Sequence, residues 1–162
     1  MGSRMKVTVH SNVDEFMEAV VERLPTILKA IGQTAEGYAK QDCPVDTGLL
    51  RNSITFAISG EAPAIQSYSA DRPDDNGVMQ SGSYDGNTEP EEMPNAYSVQ
   101  IGTNVKYAPA QEFNEDYNHM VGKAHFLRDA LQNNREDYKD IIYAGILSLP
   151  GVEGGNNSDL IG

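Results

Sequence analysis

Apolar side chains at Val13, Phe16, Val20, Leu24, Ile27, Ile31, Ala35 and Tyr38 recur at steps of three and four. That spacing predicts one long amphipathic helix with a single stripe turned to the core. Ser11 or Asn12 can cap its start, and Asp14 and Glu15 suit its positive end. Pro25 removes the hydrogen bond to the Val21 carbonyl, which predicts a kink or two helices in series. Gly32 and Gly37 each weaken the second half by about 1 kcal/mol relative to alanine, so something is expected to pack closely there. Pro44 pushes Cys43 out of the helical region and should end the helix. Ahead of it, Lys6 to His10 alternate and are β-prone, a short strand.

From Leu50 the period changes to two. Leu50, Asn52, Ile54, Phe56 and Ile58 alternate with Arg51, Ser53, Thr55 and Ala57, and Tyr97, Val99 and Ile101 repeat the pattern. Two strands that pair are expected. Gly102-Thr103-Asn104 reads as a turn and Val105-Lys106-Tyr107 as a third short strand. Pro109 then opens a helical turn carrying Glu112 and Phe113. A last helix is predicted from Phe126 to Leu149, with Leu127, Leu131, Tyr138, Ile141, Ile142 and Ile146 facing inward and Pro150-Gly151 stopping it. The class that results is α+β: a long N-terminal helix and a C-terminal helix packed on a small, mainly antiparallel sheet. With 162 residues one domain is expected over 1–150, followed by a flexible arm over 151–162.

Between the two strand patterns, residues 61–95 lose apolar periodicity and scatter Pro63, Pro73, Gly77, Gly82, Gly86, Pro90 and Pro94, so they read as a long loop insertion. Asp85-Gly86 could form a hairpin tip within it. This stretch holds eight acids (Glu61, Asp71, Asp74, Asp75, Asp85, Glu89, Glu91 and Glu92) against Arg72 alone, contributing −7 of the chain's net −12. So acidic a protein should not hold nucleic acid on a basic face. No apolar run is long enough for a membrane span and the first residues lack a signal-peptide pattern, so neither membrane nor secretion is expected. A single cysteine, Cys43, permits no internal disulfide and fits synthesis in a reducing cytoplasm.

Candidate chemistry is thin. Placing Gly77 as the turn glycine of a calcium loop puts Arg72 and Ser83 at ligand positions, so the pattern fails twice. His119 and His125 lack the spacing of a zinc pair, and no base accompanies Cys43. Glu112 near Asp116 could be an acid/base pair but reads better as a helix-surface or inter-subunit ion-pair residue. No catalytic residue, metal ligand or cofactor site is expected.

The stretch from Pro44 to Ile54 organises the rest. Asp46 and Thr47 can bond nearby amides, Gly48 can take a positive φ, and Arg51 emerges where it could clamp Asp46 or reach a neighbouring chain. It is followed in order by Tyr97 to Phe113, containing Ile101-Gly102-Thr103 and Tyr107-Ala108-Pro109-Ala110-Gln111-Glu112-Phe113, and by His125-Phe126-Leu127-Arg128-Asp129-Ala130-Leu131. Together these blocks resemble the neck, or tail-completion, proteins of long-tailed bacteriophages, over roughly Val13 to Ile146 apart from the insertion. The resemblance implies a virion protein, made in the bacterial host cytoplasm, that forms a ring joining the DNA-filled head to the tail. Its partners would be copies of itself in a six- or twelve-fold ring, neighbouring head-connector and tail-terminator or tail-tube proteins, and DNA passing through without sticking. It implies that Asp46, Thr47, Gly48 and Arg51 shape the first turn. Gly102, Thr103, Tyr107, Ala108, Pro109, Glu112 and Phe113 would build a strand-to-turn corner, and Phe126 and Leu127 would anchor the last helix. The eight acids could face the ring lumen. Two departures stand out: Asn114 replaces a usual glycine, and His125 replaces a proline. A tail-terminator or head-closure ring, an acidic mimic of DNA, and a small hydrolase with a site assembled from His119, His125 and loop acids are the alternative readings.

Overall fold

The computed structural model describes residues 12–45, 48–61, 65–73, 76–87, 96–117 and 119–149. Lys6 to Ser11, Asp46, Thr47 and the 151–162 arm lie outside the described residues. In chain order come α1 (Val13–Asp42), α2 (Leu49–Ser53), β1 (Thr55–Ile58), β2 (Ile65–Pro73), β3 (Met79–Asn87), β4 (Val99–Gly102), α3 (Ala108–Phe113), α4 (Phe126–Asn133) and α5 (Arg135–Leu147). The class is mixed α+β, with α1 and the C-terminal helices packing on an antiparallel pair.

That pair is β1 and β4, with Thr55 opposite Gly102 and Ile58 opposite Val99. The core beneath it gathers Ala39, Cys43, Leu50, Ile54, Val105, Ala108, Phe126 and Ala130. α1 joins this cluster through Ala39, with Tyr38 packed against it, while Ile27, Ile31, Gly32 and Ala35 are buried further up the helix. Gly32 is the close approach expected of it, since a Cβ there would lie 2.3 Å from the Phe56 ring. Gly37 is not, for a Cβ there would meet nothing within 4 Å. Tyr38 donates its hydroxyl hydrogen bond to Asp137, tying α1 to α5.

Several expectations change. α1 runs unbroken through Pro25, so two helices in series do not occur; Pro25 sits on the exposed side. Asn12 occupies the N-cap position but makes no side-chain cap bond. The N-terminal end of the apolar stripe is not core, for Val13 and Phe16 are exposed. Leu50 to Ser53 form helix α2 rather than the start of a strand, because one helical turn buries Leu50, Ser53 and Ile54 together while Arg51 is exposed and Asn52 only half-buried. An extended backbone would have driven Asn52 into the core alongside Leu50 and Ile54.

Val105 to Tyr107 form a turn, not a third strand. The Val105 amide is already taken by Thr103 Oγ1, and its carbonyl accepts the Ala108 amide at 2.9 Å. The insertion is not a long loop throughout: β2 and β3 pair from Ile65 opposite Asn87 to Pro73 opposite Met79. Its turn lies near Gly77, at φ +78°, while Asp85 and Gly86 stand inside β3. Their mixture of Ser, Asp, Gly and Tyr carries no apolar alternation, which hid the strands. The last helix is two helices, α4 and α5, broken at Asn134 (φ −111°). The Asn134 side-chain amide and the Tyr138 hydroxyl both donate to the Ala130 carbonyl, at 2.9 and 2.6 Å, a local alternative to the helical ladder. Leu131 and Ile142, expected inward, are exposed; the buried α4 positions are Phe126 and Ala130.

Candidate functional site

Three segments separated in sequence meet at one corner. Gly48 takes φ +83° and opens α2, its carbonyl accepting the Asn52 amide at 3.0 Å. The Ser53 hydroxyl donates to the Leu50 carbonyl at 2.7 Å and stands 2.6 Å from Thr103 Oγ1. A hydroxyl has one proton, so Thr103 donates to Ser53 while itself accepting the Val105 amide at 3.2 Å. Thr103 thus fastens the end of β4 to α2.

Glu112 is the centre of the corner. Only 5% exposed, it is not the surface residue its sequence position suggests. Its carboxylate accepts the Leu127 amide at 3.0 Å and the Arg128 amide at 3.1 Å, and its own carbonyl accepts the His125 amide at 2.8 Å. A negative group on α3 therefore satisfies orphan donors at the positive end of α4, 15 and 16 residues further along the chain. The structure shows the need: His125, at the N-cap position, makes no side-chain cap bond, so the cap comes from elsewhere.

His125 holds φ 60°, a left-handed conformation closed to the proline usual at that place. Its Nε2 lies 2.8 Å from Glu115 Oε1, and this hydrogen bond holds the Glu115 carboxyl below its ordinary range. Lys123 braces the same loop against α1. Its amide donates to the Asp42 carbonyl at 2.9 Å, and its ammonium pairs with Asp42 at 2.9 Å and Asp129 at 3.2 Å, which pushes its pKa up. Gly122 (φ +83°) lets that loop lie on the Cys43–Pro44 peptide, where a Cβ would fall 2.5 Å from the Cys43 carbonyl. Cys43 is fully buried, and burial pushes its thiol up to about 12, so it is a core residue and no nucleophile.

The residues expected to act together do so unevenly. Gly48, Thr103, Ala108, Glu112, Phe126 and Leu127 converge on the corner, with Ala108 and Phe126 in the core and Leu127 packed against it. Arg51, Tyr107, Pro109 and Phe113 face outward from it, Phe113 with 71% of its surface exposed. A Cβ at Gly102 would meet nothing, and nothing in the structure explains a glycine there. Of the acids, Glu61 is exposed beyond β1, and Asp71 and Asp85 lie on β2 and β3. Asp74, Asp75, Glu89, Glu91 and Glu92 lie outside the described residues. Sequence reasoning missed Ser53, Lys123, Asp42 and Asp129, whose roles depend on partners far along the chain. Among the described residues no group of His, Cys, Asp and Glu could hold a metal, and no helix is long and apolar enough to cross a membrane.

Buried Ser53 and Glu112, together with Thr103, make hydrogen bonds that join one element to another. The chain belongs to the HK97-gp10-like family of bacteriophage tail components: residues 8–113, more than half of it, match the family profile described as "Bacteriophage HK97-gp10, putative tail-component". It is a structural, non-enzymatic component of the phage virion. The match ends at Phe113, so the Phe126-Leu127-Arg128 block lies beyond it, joined to it through Glu112. No curated protein and no solved structure matches the chain.

Proposed function

We propose that this protein forms a ring in the phage neck, joining the DNA-filled head to the tail and lining the DNA passage. The observation that carries the reading is the corner: a phenyl ring, Phe113, stands in solvent on a helix whose adjacent residue, Glu112, is buried and locked to α4. A stiff, exposed aromatic anchor of this kind suits a permanent protein contact, because little freedom is lost when it docks. Membership of a tail-component family makes other virion proteins the natural partners. In the ring, residues 1–150 act as one domain and residues 151–162 as an arm that reaches a neighbour. The acids of residues 61–95 face the lumen, where like charge keeps DNA phosphates from adhering.

The test is electron microscopy of a lysate from phage lacking this gene. Filled heads beside separate, complete tails are the expected result. Joined, infectious particles would overturn the neck reading, and tails of uncontrolled length would favour a tail-terminator role.

A further inference from the structure

The sheet against α1 has two strands among the described residues, β1 and β4, so each has an outer edge. Three of the four β1 residues, Thr55, Ala57 and Ile58, are buried, whereas all four of β4 keep part of their surface exposed, so the accessible edge is that of β4. The Ser59 amide donates to the Ser98 carbonyl at 3.0 Å, which sets the phase of the ladder: Ala57 with Gln100 and Thr55 with Gly102 are the pairs that exchange main-chain bonds. The amides and carbonyls of Val99 and Ile101 therefore point away from β1, and no main-chain partner meets them among the described residues. β4 is short, but it carries no lysine, proline or bulge to blunt this edge, which is a template for another strand. Gly102 lies at its end, where a Cβ would meet nothing within 4 Å, and a glycine in a strand suits the close approach of a second backbone.

A strand that fits lies in the same sequence, outside the described residues. Lys6-Val7-Thr8-Val9-His10 alternates and is rich in β-branched residues. Laid in register along β4, its two valines fall on the side that Val99 shares with Ile101, which packs against the core, while Lys6, Thr8 and His10 fall on the side of Gln100 and Gly102. The β4 edge of its own chain is out of reach. The sheet meets α1 at Gly32, where a Cβ would lie 2.3 Å from the Phe56 ring, and Phe56 is opposite Ile101. Asn12 is twenty residues, about 30 Å, further up the helix. A strand of four residues spans only about 10 Å, so the nearer end of β4 stays roughly 20 Å from Asn12. Ser11 alone joins Asn12 to His10, about 7 Å of chain. A second copy has no such limit. We propose that residues 6–10 of one copy add as a third strand to the open edge of β4 in a second copy. The first half of α1, with no buried residue before Ile27, is the arm that carries the strand across. Main-chain bonds hold the contact and the valines set its register. Donor and acceptor lie on different parts of the molecule, so the contact is head-to-tail and repeats around a closed ring. This inference rests on the ring reading above and names one contact that builds the ring.

Cysteine pairing in phage particles tests it. Phage carrying Gln100→Cys combined in turn with Lys6→Cys, Thr8→Cys or His10→Cys, the three registers open to the strand, are oxidised and their proteins separated without reductant. Cys43 is fully buried and does not compete. One register should give a ladder of disulfide-linked multimers absent from each single variant. Particles assembled from a mixture of the two single variants of that register should give a linked dimer, which a bond within one chain cannot produce. No ladder in any register, or a link confined to one chain, would overturn the proposal. Complementation of phage lacking the gene adds a second readout. Val7→Pro/Val9→Pro removes the amides that face β4 and should lose plaque titre while the purified protein melts as the wild type does, and Val7→Ile/Val9→Ile should keep titre. Titre retained by the proline variant would overturn the proposal; if that variant melts low, the cysteine ladder decides. A deletion phage that plates normally without any plasmid would instead refute the neck reading itself.

Discussion

Replacing Glu112 with alanine probes the corner most directly. The change removes the acceptor for the Leu127 and Arg128 amides, at 3.0 and 3.1 Å, at a site only 5% exposed. Loss of a helix N-cap costs about 0.5–2 kcal/mol. Leaving a buried donor unsatisfied costs about 1–3 kcal/mol, and the two amides share one carboxylate, so the effects do not simply add. A loss of about 2–4 kcal/mol is expected. For a chain of this size each kcal/mol is worth roughly 2–4 °C, so a central value of about 3 kcal/mol corresponds to a melting point about 6–12 °C lower. Glu112→Gln keeps one acceptor oxygen and should lose about half as much. Thermal unfolding by circular dichroism, checked by urea titration, measures both. An exposed ion-pair residue would behave differently, costing at most about 1 kcal/mol and losing that contribution in salt. Glu112→Ala melting within about 2 °C of the wild type, or recovering fully in about 1 M salt, would refute the capping role.

Gly32→Ala should destabilise by about 1–3 kcal/mol, because its Cβ would fall 2.3 Å from the Phe56 ring, whereas Gly37→Ala, in open space, should stabilise by about 0.5–1 kcal/mol; paired urea titrations check the contrast. Cys43 should resist thiol reagents until the protein is unfolded. Burial raises its folded pKa to about 12, so the stability it contributes is complete below the unfolded value of about 8.5 and declines as pH rises from there towards about 12; Cys43→Ala should flatten that part of the pH–stability curve. Neutralising Glu61, Asp71, Asp74, Asp75, Asp85, Glu89, Glu91 and Glu92 together should slow DNA ejection, and ejection kinetics unchanged from wild type would remove the lumen role.

Periodicity located α1 and the strand patterns of β1 and β4, and proline chemistry located the end of α1 at Pro44 and the start of the Pro109 helix, because each rests on local chemistry. The stop at Cys43 is one such case: its φ −64° and ψ 134° are the extended geometry that a following proline imposes. The family blocks were equally legible, since turn glycines and proline-opened helices write their requirements into neighbouring residues. Where apolar residues fit both periods, the sequence was ambiguous. Leu50 and Ile54 satisfy a strand at every second residue and a helix at every fourth, and only the burial of Ser53 against Thr103 distinguishes them. The polar β2–β3 ribbon gave no apolar alternation to read.

What the sequence by itself determined was the kind of protein: an acidic α+β chain with the ordered blocks of a phage tail component. Only the tertiary structure decided what those blocks do. Glu112 looks like a surface acid until α4 comes to rest on it, and the N-terminal stripe of α1 looks like core until full burial is seen to begin only at Ile27. The physical reason is the same in both cases. A side chain's period assigns it to a face of its own helix, but whether that face meets protein or water depends on elements far away along the chain.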